Sequence, residues 1–286
     1  MAFLHQKSAH TNGKTTISRG QRHQRPDTAL ADARLAVLQL ALERMQILQT
    51  QCYLPNSKVA SVHVDKSSIP NAGKGLFASK NIQAGTIVCF YPVHAIGLDN
   101  EDHGDTLYVS ANDNDEISVG NTAQDYTLDY IQYLVGSRPL GDTAMGTGLF
   151  VNANPSKMDD ADGWLGHYIN DGATVLSNTH QGIMDYYDAS KKSKNCVQIP
   201  FGPSPILATV TTRKVKKGQE LFTSYGCFYW LETILKDGEE CTPINERALV
   251  QAKETAQDLF QAMQACRIKY KNQEEQLSKA FYEALQ

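Results

Sequence analysis

From Lys58 to Trp230 the apolar residues come in short bursts separated by glycine, asparagine and proline clusters. Val59–Val64, Thr86–Tyr91, Ile206–Thr211 and Glu220–Ser224 are such bursts. Runs of this length between turn signals read as strands. A chain interrupted this often must build its centre from short strands joined by turns, so a mainly β domain is predicted over 58–230. The 286 residues fit one or two domains, and a hydrophobic share of 41% is enough for a packed core.

The flanks carry a different period. Leu35, Leu38, Leu42 and Met45 recur at steps of three and four, which predicts a helix over 28–51 with Asp27-Thr28 as its cap. Thr242-Pro243 offers a second cap. Beyond it Leu249, Ala252, Ala256, Leu259, Met263, Cys266 and Tyr270 keep heptad spacing. Leu277, Ala280 and Ala284 extend it, with Gln273 as a polar interruption, so a C-terminal helix is predicted over 243–286. Small residues along that seam suit close packing. The partner is either the 28–51 helix of the same chain or a second copy, which would make a dimer through the C-terminal helix. The stretch from about 97 to 163 is acidic and uneven, and reads as an insertion in the β domain. Residues 1–26 read as a disordered basic tail, in which Lys7, Lys14, Arg19, Arg22 and Arg25 precede the first acid, Asp27.

A net charge of −4 argues against the whole chain as a nucleic-acid binder; a local basic segment such as the tail could still be one, but no aromatic-plus-basic module stands behind it, so no nucleic-acid partner is expected. No apolar run approaches the roughly 20 residues that span a bilayer, and the first ten residues lack a signal-peptide core. The expectation is an intracellular protein of nucleus or cytoplasm, with no membrane partner. The acid-free start leaves organelle import as an alternative. The six cysteines are scattered without a CxxC or CxC pair, so reduced thiols and no metal site are expected.

Three segments carry chemistry. In the first, from Ser68 to Ala78, Gly73 and Gly75 leave backbone N–H groups accessible around Lys74, a turn able to cradle a small carboxylate. In the second, Gly163 to Gly172, Tyr168-Ile169 leads into Asn170-Asp171, and an asparagine amide can bond carbonyls or a ligand's amine. The third runs from Thr211 through a basic turn to Phe222-Thr223-Ser224-Tyr225-Gly226. Taken singly these are a hairpin turn, an Asn-Asp-Gly turn and a packing tyrosine.

In this order the segments resemble the SET domain of protein lysine methyltransferases. Ser68 to Ala78 matches the family's opening A-G-x-G-L-F-A stretch, His167-Tyr-Ile-Asn-Asp-Gly172 its R-F-I-N-H-S, and Gly218-Gln-Glu-Leu-Phe-Thr-Ser-Tyr-Gly226 its closing G-E-E-L-x-x-x-Y-G. Lys194-Asn-Cys-Val-Gln-Ile199 resembles the strand between the last two. The resemblance implies small twisted sheets around a knot-like crossing, flanked here by the N- and C-terminal helices. It implies S-adenosyl-L-methionine as cofactor, met at its methionine end by Gly73, Lys74 and Gly75 and at its amine and adenine end by Asn170 and Asp171. Tyr225 would sit where the methyl passes and act as the catalytic residue. Thr223 and Phe222 would line the substrate channel, and the partner would be a histone or non-histone protein presenting a lysine.

The sequence departs from the family in places. Asp171-Gly172 stands where many members have His-Ser. The cysteine-rich zinc segment of many histone-directed members is absent, so Trp230, Phe228 or the C-terminal helix would have to cover the adenine; the other reading of Phe228, Tyr229 and Trp230 is core packing. Thr223 stands where many members carry Phe or Tyr, and a small residue there leaves room for more than one methyl. His63, where some members place a channel tyrosine, reads as a strand histidine. The alternative to an enzyme is a degenerate SET-fold binding or scaffold protein in which Asp171 has weakened cofactor binding.

Overall fold

The structure, a computed structural model, describes residues 28–50, 61–100, 105–111, 117–119, 127–129, 149–153, 163–235, 239, 241–242 and 245–283. The basic tail expected over 1–26 lies outside them. At the centre is a three-stranded antiparallel sheet in the order β10–β11–β3, formed by β3 (Ile87–Phe90), β10 (Cys196–Pro200) and β11 (Leu207–Thr211). Every residue of these strands is buried. That explains their near-continuous apolar character, since a strand covered on both faces has no need to alternate.

Two further sheets stand beside it. β1 (Val62–Lys66) and β2 (Lys74–Ala78) form an antiparallel hairpin with Lys66 opposite Lys74. β4 (Ala95–Asn100), β5 (Asp105–Ala111), β6 (Ile117–Val119), β7 (Thr127–Asp129) and β8 (Leu149–Asn152) form a five-stranded sheet in the order β6–β5–β4–β8–β7. The acidic stretch of about 97–163 thus supplies β5 to β8. Val109 and Val151 of that sheet are buried in the same cluster as Phe90 and Ile199 of the central one.

The flanking helices close this core. α1 (Thr28–Gln49) buries Leu38, Leu42, Met45 and Leu48, the face that the three-and-four spacing marks. Each such side chain contributes roughly 1.5–3 kcal/mol when fully buried. The Gln49 amide also bonds both the N–H and the carbonyl of Val93, at 2.5 and 3.0 Å. The single C-terminal helix of the sequence reading is two helices, α4 (Glu246–Lys269) and α5 (Lys271–Glu283), interrupted at Tyr270. Tyr270 is buried, and its hydroxyl accepts from the Ile87 N–H at 3.3 Å. Cys266, Tyr270, Leu277 and Phe281 share the core with α1, and Arg44 of α1 lies over the Phe281 ring. The side chains of Leu249, Ala252, Ala256 and Leu259 lie outside the described residues. Thr242, expected as a cap, instead bonds Asn178 through both its N–H and its hydroxyl, at 2.8 Å each.

No helix is expected over 58–230, yet among the described residues one α-helix lies within that span and a second begins at its end. α2 (His180–Ser193) is capped by the Thr179 hydroxyl, which accepts from the Gly182 N–H at 3.1 Å. It buries Ile183, Tyr186, Tyr187 and Ser190, a helical stripe. α3 (Cys227–Ile234) follows Gly226 directly and buries Cys227 and Leu231. Among the described residues no helix is long and apolar enough to cross a membrane.

Candidate active site

The two remaining strands are the shortest. β9 (Asn170–Asp171) and β12 (Phe222–Thr223) pair in parallel, with Phe222 opposite Asn170 and Thr223 opposite Asp171. Distant in sequence, these segments lie side by side in the crossing that the sequence resemblance implies. Asn195 secures it: its amide bonds the carbonyl of Glu220 at 2.8 Å and the N–H of Phe222 at 3.0 Å. The Tyr225 hydroxyl donates to the Ile169 carbonyl at 2.7 Å, tying the end of one segment to the start of the other.

The glycine turn docks onto this crossing through a buried carboxylate. Glu220 accepts from the Ser67 hydroxyl and the Ser68 N–H, at 2.7 Å each, and from the Ser68 hydroxyl. The Asn170 Nδ2 lies 3.0 Å from the Lys74 carbonyl and 3.2 Å from both Glu220 Oε1 and the Ser67 hydroxyl. Three acceptors around one atom fix it as the nitrogen of the amide and leave Oδ1 as the free acceptor. Gly75 is required here, because a Cβ would stand 2.1 Å from Glu220 Oε1. Gly73 is different. It takes φ +73°, where L side chains are strained, and a Cβ there would meet nothing within 4 Å. The inner glycine admits Glu220; the outer one keeps an open backbone face.

Asp171 is a second node. It is 3% exposed. Its Oδ2 accepts from the Tyr186 hydroxyl at 2.7 Å, the Tyr225 N–H at 2.9 Å and the Trp230 indole at 3.0 Å, and its Oδ1 from the Ala173 N–H at 3.0 Å. Burial pushes its pKa up, and these donors oppose that shift. Tyr186 continues the network, accepting from the Gly226 N–H at 2.9 Å and meeting the Ser224 hydroxyl at 2.8 Å. The carboxylate therefore organises both sides of Tyr225 from within the protein.

Around Tyr225 gather aromatic rings. Trp230 lies nearly parallel to it with centroids 6.2 Å apart, and Tyr229 meets it edge-on at 4.9 Å. Trp230 is anchored through Asp171, whereas Phe228 and Tyr229 are 37% and 40% exposed. Thr223 is buried, and Phe222 is half-buried beside Gly172. His63 sits on β1, 2.9 Å from the Ser79 hydroxyl. His167, one turn before Asn170, is buried; desolvation first, then the fields of His94 and Lys74, lower its pKa to about 3. Among the described residues no group of His, Cys, Asp or Glu could hold a metal ion.

The sequence reading singles out Gly73, Lys74, Gly75, Asn170, Asp171, Phe222, Thr223 and Tyr225, and the fold brings all of them to this crossing. It misses Glu220, Asn195, Tyr186 and the bond from Trp230. Glu220 and Asn195 lie inside the matched stretches Gly218–Gly226 and Lys194–Ile199, and the Tyr186 and Tyr187 stripe behind the Thr179 cap was a signal for the third.

Short sheets about a parallel crossing, with a glycine turn docked on it and a tyrosine bonded across it, define a class of fold. The SET domain family model matches residues 73–226, more than half of the 286, and the chain belongs to that family. Among solved structures it is similar to the methyltransferase domain of human PR domain-containing protein 2, at 13% identity over 64% of this chain and 82% of that one, TM-score 0.30. It is also similar to the SET domain of the RIZ1 tumor suppressor (PRDM2), at 14% identity over 87% of this chain and 98% of that one, TM-score 0.29. Comparison with curated proteins gives no match.

Proposed function

We infer that the chain transfers a methyl group from S-adenosylmethionine to the side-chain amine of a lysine in a protein substrate. The observation that carries this reading is the Tyr225 hydroxyl, held on the Ile169 carbonyl directly beside Asn170. Because that hydroxyl donates its proton inward, a methyl group brought beside it would meet the hydroxyl oxygen. Such C–H···O contacts contribute perhaps ~0.5–1 kcal/mol each.

The residues fit the cofactor. The open backbone at Gly73 and Lys74 suits its carboxylate, and Asn170 Oδ1 suits its amine. Asp171 is committed to the interior, so only its backbone would take part. When bound, the cofactor supplies a sulfonium methyl. The chain's own residues do the rest. A narrow, dry passage past Phe222 and Thr223 would disfavour a lysine ammonium, so that the proton leaves to water before transfer. A neutral amine held in line would take the methyl as the carbon–sulfur bond breaks, and such placement lowers the barrier without a strong general base.

Titration calorimetry with S-adenosylmethionine, followed by incubation of a mixed cell lysate with methyl-labelled cofactor and mass spectrometry of labelled lysines, tests this. Binding with label on lysine is expected. Absence of binding would favour a non-catalytic SET-fold scaffold.

A further inference from the structure

The chain is acidic overall, with a net charge of −4, but its charge is not evenly spread. Residues 189–219 hold Lys191, Lys192, Lys194, Arg213, Lys214, Lys216 and Lys217 and no aspartate or glutamate. The fold folds this segment back on itself. The Arg213 guanidinium donates to the carbonyls of Lys192 and Ser193, at 2.6 and 2.7 Å, which joins the basic turn after β11 to the C-terminal end of α2. A second brace joins that turn to the loop after β2. Ile82 pairs with Val215, and the Lys217 N–H bonds the Asn81 side chain at 3.0 Å. Lys80 at that loop, Lys192, Lys214, Lys216 and Lys217 are all exposed. Asn81, Lys214, Lys216, Lys217 and Gln219 line a surface recess of about 400 Å³.

The chemistry of this surface selects its partner. A protein partner would need an apolar centre to its interface, and among the described residues none of the large exposed apolar side chains belongs to 189–219 or to Lys80 and Asn81. Single-stranded nucleic acid would need aromatic platforms for its bases, and the same comparison leaves no exposed ring here. What remains is a braced row of cations with amide donors between them, the chemistry that meets closely spaced phosphates. We propose that the surface formed by Lys80, Lys192, Lys214, Lys216 and Lys217 binds the phosphate backbone of a nucleic-acid duplex without reading its sequence. None of these five lysines belongs to the crossing itself, although Ser193, next to Lys192, packs at Gly172; resting on the proposed function, the surface would bring the enzyme to proteins that themselves sit on nucleic acid.

Fluorescence anisotropy of the full-length chain with a labelled random-sequence DNA duplex, repeated over a salt series, tests this. The variants are the triple reversal Lys214→Glu, Lys216→Glu, Lys217→Glu, its milder Lys→Gln counterpart, and a matched reversal elsewhere, Arg267→Glu, Lys271→Glu, Lys279→Glu. Thermal melts check folding, and the Gln triple serves if the Glu triple does not fold. The expected result is at least a tenfold loss of affinity for the turn reversal and a smaller loss for the Gln triple. The slope of log K against log salt should flatten by about one unit per lysine removed. The matched reversal should change affinity less than twofold. The proposal is overturned if the parent does not bind duplex at low salt, or if both reversals weaken binding equally. It is likewise overturned if the turn variants bind like the parent, or if polyglutamate competes as well as unlabelled duplex.

Discussion

At the residue scale three side chains have neighbours that give them different work. The Tyr225 hydroxyl donates to Ile169, a bond worth about 0.5–1.5 kcal/mol. Tyr225→Phe should therefore fold and bind cofactor nearly as the parent does, yet lose most of its turnover; undiminished methylation would remove Tyr225 from the mechanism. Thr223 is buried on β12 and carries no ring. With a threonine there the amine can rotate and accept a second methyl, so dimethyl-lysine is expected as a product, and Thr223→Tyr should shift the product to monomethyl-lysine. Mass spectrometry under excess cofactor checks both; a parent that stops at monomethyl-lysine would contradict the assignment. His167 gives a pH signature. Its folded pKa of about 3 lies below the ordinary 6.5, so the unfolded chain takes the proton more readily. Stability from this group is complete above 6.5 and is lost as pH falls from there toward 3. Each unit costs about 1.4 kcal/mol. In urea titrations the parent should lose about 2 kcal/mol more than His167→Gln between pH 7 and pH 5; parallel losses would show that His167 is not the acid-labile group.

At the element scale the strongest dependence is of the β9–β12 crossing on a helix that is foreign to both strands. Asp171 of β9 gathers Tyr186 from α2, Trp230 from α3 and the Tyr225 N–H. Asp171→Ala would take this shared acceptor from the buried Tyr186 hydroxyl and from the half-buried Tyr225 N–H and Trp230 indole, and each donor left unpaired in the interior costs roughly 1–3 kcal/mol. It should lower the melting temperature and also raise the exposure of Trp230, read as a red shift in a protein with only two tryptophans. An unshifted spectrum with an unchanged melt would remove Asp171 as the organiser. The short strands, the α1 face and the glycine turn were legible because each is local: strand length, the spacing of Leu38, Leu42 and Met45, and the Gly73-Lys74-Gly75 triplet lie in contiguous sequence. The partners were not. Glu220 meets Ser67 and Ser68 across some 150 residues, and no periodicity encodes that pairing. Gly75 shows the consequence. Sequence alone reads it as open backbone for a ligand, but a Cβ there would strike Glu220 within the protein. Likewise α2 was missed because polar residues dilute a stripe that only Tyr186 and Tyr187 reveal.

At the scale of the whole molecule the flanking helices form one core with the sheets. Leu42 and Met45 of α1, Cys266 and Tyr270 at the end of α4, and Leu277 of α5 are buried with β3, β10 and β11. Removing residues from 248 onward should therefore expose apolar faces on α1 and the central sheet, giving an insoluble or strongly destabilised chain. Removing residues 1–26 should leave melting temperature and peptide methylation unchanged. A soluble, fully active truncation at 248 would contradict this arrangement. Under the proposed function the assembly moves a methyl group onto lysine, which a single comparison of parent and variant tests. Purified parent and Tyr225→Phe are incubated with methyl-labelled S-adenosylmethionine and a protein mixture, and label recovered as methyl-lysine is counted. The account requires label on lysine from the parent and its near-complete loss in the variant, with cofactor affinity retained. Cofactor-bound parent that labels no lysine, or a variant that labels as well as the parent, would contradict it.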